Sequence, residues 1–537
     1  MKINTNVNLF KKIFILISFA FASPLMAFIG SGVGTEGVPY IITSCAELID
    51  VNNSLTVYYE LDENIAGGEL DCSANGNNIM IGTLGSPFMG NFDGNNINIV
   101  LDIDDGGSNV SLFRVASSSV ISNLSSSGSI GVAGTFGSGG LIGFAYDSTL
   151  LNLSSSASVS GAQDVGGLIG YMEEGTLTSS FATGPVTGGI HQNTGGLIGD
   201  VYEVDLITLS YATGDVVGTS TDIGGFAGDI MDTTVTYSYA TGDVSSGEKM
   251  GGFVGDVDGA LISYSYSTGN VTGDGDSFAV GGFAGDTEDG ISNSRTVISN
   301  SYATGSVTAG GGEDGGFIGE ASYTDLINVY SSGSVDTSGA ANGGTLGSDD
   351  GNNTYSAVYW DRDTAGLSSD CDDIGCSNID SKSTSEMKVL STYVGWDFIT
   401  IWGLNPLINS GYPFLRWEGA SHNPPEESLG GGYTRPPLCE AKITPSTITV
   451  GESAALNWNV QWSTGRRSTY YTKAPGEGLY SSNVNSIQIQ PKHTTTYRLA
   501  TFNLWGANFC EATVEVLDTE GEEVTSERNS TLTASAA

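Results

Sequence analysis

Basic side chains are scarce in this chain of 537 residues, which carries 18 Lys and Arg against 60 Asp and Glu for a formal charge of -42. Between Phe28 and Asp361 the cations are Arg114, Lys249 and Arg295 alone. An acidic field of this kind repels nucleic acid and anionic lipid, so neither is expected as a partner. Histidine is scarcer still. His191, in a repeat turn, His422, in the linker segment, and His493, in the last domain, are the full set, which leaves a Ser-His-Asp triad few ways to assemble. HExxH, GxSxG and Walker-loop motifs are missing as well, which leaves metalloprotease, hydrolase and nucleotide chemistry without a motif. On this reading the chain is expected not to be an enzyme, with a polysaccharide lyase or glycosidase as the alternative, because acidic β-helices can host such carboxylate chemistry.

Long apolar runs are also missing, with one exception at the start. IFILISFAFA over 13–22 follows Lys2, Lys11 and Lys12 and precedes Leu25 and Ala27. This reads as a secretory signal spanning 1–27, shorter than the roughly 20 apolar residues a spanning helix needs. Loss of its three lysines takes the charge from -42 to about -45. The expected product is secreted or held at a bacterial cell surface, with no membrane insertion once the signal is removed.

Glycine is what the chain has in abundance, 77 residues of it. GGLIG stands at Gly139, Gly166 and Gly195, GGFAG at Gly224 and Gly281, GGFVG at Gly251, GGFIG at Gly315 and GGTLG at Gly343. Successive starts are 27, 29, 29, 27, 30, 34 and 28 residues apart. A fixed phrase with a period near 29 means that each repeat is a unit stacking on its neighbours to bury its apolar face. A second phrase keeps the same register: SFATGPV at Ser180, SYATGDV at Ser210 and Ser238, SYSTGNV at Ser265, SYATGSV at Ser301 and VYSSGSV at Val329. NLSSSGSI at Asn123 and NLSSSASV at Asn152 look like earlier copies, with Leu124 and Leu153 in the aromatic place, and Ser111-Leu112-Phe113-Arg114 like a worn GGLIG. That makes nine coils.

Within a coil the apolar residues alternate in short bursts, as in Leu206, Thr208, Ser210 and Ala212, with no stretch long enough for a helix. The expected fold is all-β: a right-handed parallel β-helix of about 29-residue coils, followed by a small β-sandwich. Equivalent residues would stack about 4.8 Å apart, so nine coils make a rod of roughly 45 Å. A disordered Gly/Ser linker is the competing reading of the composition; the regular Leu, Ile, Phe and Tyr positions argue against it.

These phrases resemble GLUG-motif repeats of bacterial surface proteins, some of them related to filamentous haemagglutinins or accompanying IgA-peptidase domains. The resemblance covers roughly Gly30 to Trp417. It includes an opening cap, GTEGVPYIITSCAELIDV from Gly34 with PFMGNFDGNNINI from Pro87, and a closing cap, AVYWDRDTAG from Ala357, STSEMKVLSTYVGWDF from Ser383 and GYPFLRW from Gly411. It implies adhesion or surface interaction. Trp360, Trp396, Trp402, Phe414 and Trp417 are expected to plug the last coil; a sugar-stacking platform is the other reading.

The expected divisions are a signal peptide at 1–27, a cap and first coils at 28–110, repeats at 111–350, a closing cap at 351–417, a Pro/Gly-rich linker at 418–437, a sandwich at 438–517 and a disordered tail at 518–537. The sandwich segment, with PSTITVGESAALNW and TTTYRL, resembles bacterial immunoglobulin-like domains. Proximity in sequence suggests Cys45 with Cys72, Cys371 with Cys376 and Cys439 with Cys510, one of fifteen pairings open to six cysteines. A zinc site is disfavoured by the lack of paired CxxC units.

One constellation stands out. The residue after each repeat phrase is Asp200, Asp229, Asp256, Asp286 and then Glu320, after Phe144 and Tyr171 in earlier coils. Stacking would align five acids in a column, which calcium or another divalent ion could bridge; the alternative is that they splay outward and stay hydrated. Asp370, Asp372 and Asp373, with Asp380, form a second acidic loop open to calcium or to plain solvation. GDGDS at Gly273 lacks the spaced glutamate of a calcium loop. The function expected is adhesion or structural display on a host, neighbour-cell or matrix surface of glycan or protein. A polysaccharide-active enzyme or carbohydrate-binding protein is the runner-up.

Overall fold

The computed structural model describes residues 28–131, 136–189, 192–219, 221–274, 277–291, 293–309, 312–336, 341–371, 376–418, 438–461, 469–473, 477–482, 486–491, 494–503 and 506–518. The proposed signal, linker and tail thus lie outside the described residues, apart from Glu418 and Asp518 at their edges.

Glycine sets the winding. In each phrase the first two glycines let neighbouring coils touch: a Cβ on Gly225 would sit 2.2 Å from the carbonyl oxygen of Gly252 in the next coil. The two residues that follow turn inward. Phe226, Phe253, Phe283 and Phe317 are fully buried and stack with centroids 4.6, 4.8 and 4.9 Å apart. From Phe113–Ser117 to Leu346–Gly351 the same strand recurs nine times, each parallel to the last, with Phe113, Ile142, Ile169, Ile198, Ala227, Val254, Ala284, Ile318 and Leu346 in one column. A narrower sheet of eight strands, Ser138–Gly139 through Ala341–Gly343, carries the glycine phrases. The result is the expected β-solenoid.

The serine of the second phrase has a structural reason. The residue before it takes positive φ at Ser179, Leu209, Tyr237, Tyr264 and Asn300, a left-handed corner that interrupts the coil-to-coil ladder. Ser210 Oγ then donates to the Thr208 carbonyl oxygen at 2.9 Å and accepts from the Ser180 N–H of the coil before at 3.2 Å. Ser238, Ser265 and Ser301 repeat the exchange, all fully buried. Each hydroxyl satisfies backbone groups that the corner would orphan.

After the serine comes the outward aromatic. Phe181, Tyr211, Tyr239, Tyr266, Tyr302 and Tyr330 stack with nearly parallel ring planes, centroids 4.6–5.1 Å apart. The two earlier copies are offset from the sequence reading. Phe181 pairs with Ser154, which pairs with Ser125, while Leu153 and Leu124 lie one place earlier and are buried. Side chains alternate faces along a strand, so a shift of one residue exchanges inside for outside.

At the opening end, strand Tyr40–Ile42 pairs in parallel with Tyr58–Leu61, and helix Cys45–Asp50 is tied to the next coil by the Cys45–Cys72 disulfide. Tyr59, Phe88, Phe92 and Phe113 fill that end of the core.

The closing segment departs from the expected plug. Trp360 alone enters the solenoid core, beside the Cys371–Cys376 disulfide. Trp396, Trp402 and Trp417 instead lie along the outside, on the tyrosine ladder. Trp402 meets Tyr302 and Tyr330 at 6.3 and 6.2 Å, and Trp417 reaches back to Tyr239 and Tyr266 at 6.2 and 5.8 Å. Phe414 sits in the Pro413–Leu415 strand, antiparallel to Trp402–Leu404. The exposed flank of a column of tyrosines is itself an apolar face that needs cover, and these rings supply it.

The described residues between 438 and 518 form one sheet of three strands and one of five around Ile443, Leu456, Tyr497, Val514 and Val516, antiparallel except where Thr447–Thr449 runs parallel to Gly506–Leu517, which supports the sandwich in part. The side chains of Cys439 and Cys510 lie outside the described residues. Among the described residues no helix is long and apolar enough to cross a membrane.

Two substitutions test this packing. Gly282→Ala places a Cβ 2.3 Å from the Gly316 carbonyl oxygen, whereas Gly85→Ala meets nothing within 4 Å. Denaturant unfolding should show the first weakened by about 1–3 kcal/mol and the second nearly unchanged. Trp402→Ala, at a fully buried site, should cost about 3–5 kcal/mol in the same measurement.

Candidate functional site

The acidic column forms as the spacing predicts. Asp200, Asp229, Asp256, Asp286 and Glu320 are consecutive partners in parallel register, preceded by Phe144 and Tyr171 and followed by Ser348. They do not splay into solvent. Asp256 is 6% exposed and Asp286 3%, and the others are half-buried.

A second column faces them, which the sequence reading missed. Two places before each glycine phrase stand Asp164, Asn193, Asp222, Lys249, Ala279 and Glu313, with Asp222, Lys249, Ala279 and Glu313 paired in register. The phrase makes the chain bend, so a residue of this column meets the acid seven positions later. Asn193 Nδ2 donates to Asp200 Oδ2 at 2.8 Å, and Lys249 Nζ to Asp256 Oδ2 at 2.7 Å. Lys249 also reaches Asp286 in the next coil at 2.5 Å and Glu288 at 3.9 Å. The signal was readable: Lys249 is one of three cations in some 330 residues, and it occupies a fixed place in the repeat.

Beside the second column lies a groove lined by Gln192, Thr221, Asp222, Glu248, Lys249 and Phe278. The electrostatics of the acidic column follow from burial. Withdrawal from water pushes the Asp200 carboxyl up to about 7, against the Asn193 hydrogen bond that lowers it, with Asp222 raising it further. Burial raises Asp286 to about 7 and Asp256 adds to that, while Lys249 opposes. Asp258 and Glu320 rise to about 8, by burial first and then by the charges of Asp256 and Asp286 respectively. Asp164 and Asp229 rise well above the usual range for the same reason, with Asp200 the next contributor to both. Lys249, held by two carboxylates, is pushed up despite its burial.

Lys249 already sits between Asp256 and Asp286, so an ion bridging all five acids would have to share them with an ammonium group. Among the described residues no three His, Cys, Asp or Glu side chains converge to hold a metal. In the second acidic loop, Asp370 Oδ1 accepts from Trp360 Nε1 at 2.6 Å and Asp380 pairs with Lys382 at 3.4 Å. Asp372 and Asp373 lie outside the described residues, as do His191, His422 and His493.

No family model matches the chain, and no curated protein matches it. Among solved structures it is similar to a Bacteroides ovatus chain provisionally named an immunoglobulin A1 protease, at 18% identity and a TM-score of 0.36, over 72% of this chain and 95% of that one. Another, named IgA1 Protease, matches at 14% identity and a TM-score of 0.32, over 83% of this chain and 34% of that one, so this chain spans about a third of its length. Both carry a protease name, and the expectation that the chain is no enzyme is withdrawn on that finding.

These buried carboxyls make stability depend on pH. Each raised carboxyl keeps its proton in the folded chain to pH 7–8 but loses it near pH 4 when unfolded. Stability is then greatest below pH 4 as far as these groups are concerned, and falls as pH rises toward 8. Thermal midpoints should decline over that interval in metal-free buffer, and Asp200→Asn should flatten the decline.

Proposed function

We propose that this chain is an exported bacterial protein, secreted or surface-held, whose solenoid is a display rod for adhesion to glycan or protein on host, neighbour-cell or matrix surfaces. The observation that carries this reading is the in-register stacking of nine like coils, flanked by a disulfide-tied opening cap and a closing segment locked along one side. Such a scaffold holds turn residues in a fixed array, which suits a surface that binds by repetition. Disulfides at Cys45–Cys72 and Cys371–Cys376 fit an oxidising compartment outside the cytoplasm. The resemblance of the repeats to GLUG motifs, and of the last domain to bacterial immunoglobulin-like modules, points the same way.

A second reading has one observation in its favour. Burial raises the Asp200 and Asp286 carboxyls to about 7, which suits them to proton transfer, as polysaccharide-cleaving chemistry needs.

One experiment separates them. The mature protein is applied to glycan and protein arrays, and incubated with soluble polysaccharides while new reducing or unsaturated ends are assayed. Retention on arrayed glycan or protein is the expected result. Chain shortening that Asp286→Asn abolishes would replace the adhesion reading by the enzymatic one, and silence on every surface would remove adhesion.

A further inference from the structure

We infer that the groove beside Lys249 is a subsite for a neutral glycan chain, laid along the solenoid axis with one sugar ring stacked on Phe278 and its hydroxyls bonded by Gln192, Thr221 and Glu248. The inference rests on the adhesion reading above and gives it a ligand class and a place.

Three positions before each glycine phrase stand Gln192, Thr221, Glu248 and Phe278 in successive coils. Backbone bonds between coils align them in a file: Lys249 N–H donates to the Thr221 carbonyl oxygen and Phe278 N–H to that of Glu248, both at 2.7 Å. At one strand spacing per coil the four residues span roughly 14 Å. Gln192 and Glu248 are exposed and Thr221 is half-buried. Phe278 is 49% exposed, whereas Phe283, five residues on, is fully buried. Apolar residues scattered singly over a surface carry no message. This one walls a groove whose other edges are an amide, a hydroxyl and a carboxylate.

The lining narrows the ligand. Lys249 has its ammonium engaged by Asp256 and Asp286 at 2.7 and 2.5 Å, so it is not available to phosphate, sulfate or uronate, while Asp222 and Glu248 repel them. An extended peptide is read chiefly through main-chain hydrogen bonds. Here the strands Asp222–Gly224, Lys249–Gly251 and Ala279–Gly281 are each paired on both sides, so recognition falls to side chains.

A neutral pyranose meets those conditions. Its axial C–H groups form an apolar face for an aromatic ring, and its equatorial hydroxyls both donate and accept, as an amide, a hydroxyl and a carboxylate together require. An apolar wall with a few polar groups is also the usual make-up of small-ligand sites. The backbone that carries the ring is ordered beforehand, since Phe278 donates to Glu248 and its carbonyl oxygen accepts from Glu313 N–H at 2.7 Å. Less ordering is then lost on binding.

Affinity electrophoresis of the full mature chain, in gels holding barley β-glucan, xyloglucan, galactomannan or dextran, tests the assignment, with polygalacturonate and heparin as anionic controls. Calorimetric titration with a tetrasaccharide of the retarding polymer gives the Kd. Retardation by at least one neutral polymer and by neither anionic one is expected. Phe278→Ala should weaken binding about tenfold and Gln192→Ala about threefold, with thermal midpoints unchanged because both side chains are exposed. Leu261→Ala, at an exposed apolar residue outside the groove, should bind as the parent does. Retardation that survives both groove substitutions overturns the inference and leaves adhesion to glycan standing elsewhere on the chain. Tighter binding of polygalacturonate or heparin overturns the choice of a neutral ligand. Passage through every gel overturns the inference too, and retention on arrayed protein then shows that the adhesion reading has not failed with it.

Discussion

Parallel stacking at one coil per repeat is the constraint from which the rest of the molecule follows. Each coil sets its backbone against a near copy of itself, so whatever stands at a given place is repeated about 4.8 Å away. Apolar residues gain from this. Phe226 on Phe253 and Tyr239 on Tyr266 become continuous columns, and the serine at each corner hands a hydroxyl to the coil before it. Charged residues pay for the same symmetry, because a carboxylate at a repeated place faces another carboxylate.

The chain answers that repulsion differently at different heights. Around Asp256 and Asp286 it supplies Lys249; beside Asp200 it supplies an amide hydrogen bond from Asn193. At Asp164 and Asp229 withdrawal from water favours retention of a proton, with a hydrogen bond from the Gln163 side chain opposing it at Asp164. A sequence that repeats its scaffold so faithfully need not repeat its electrostatics.

Much of this was legible beforehand, for an identifiable reason. Register in a solenoid is set by period, and the period is printed in the glycine phrases, so the Asp200-to-Glu320 column and the tyrosine ladder could be placed residue by residue. What escaped were features that depend on parity or on folding back. Leu153 and Leu124 look like substitutes for Phe181 because all three follow a polar residue, yet the valines downstream, Val159 and Val186, fix the pairing and put Ser154 there instead. The column led by Lys249 was missed because its members share neither charge nor polarity, and their common property is position. The aromatic residues after Ser383 were read as an end plug on density alone; nothing local to Trp402 or Trp417 says that the chain doubles back along the outside. The left-handed corners at Leu209, Tyr237 and Tyr264 had no signal at all, since these residue types seldom adopt that conformation.

The return path of the closing segment has a mechanical consequence. Tension applied to the chain beyond Glu418 does not first reach the terminal coil, as it would if the solenoid simply ended there. It enters through Trp417 beside Tyr239 and Tyr266, and through the Tyr302 hydroxyl, which donates to Glu418 Oε2 at 2.8 Å. The load is shared at once among several turns and acts as shear across a clamp of interlocked rings. Unzipping from the end, the weakest mode for any stack, is bypassed.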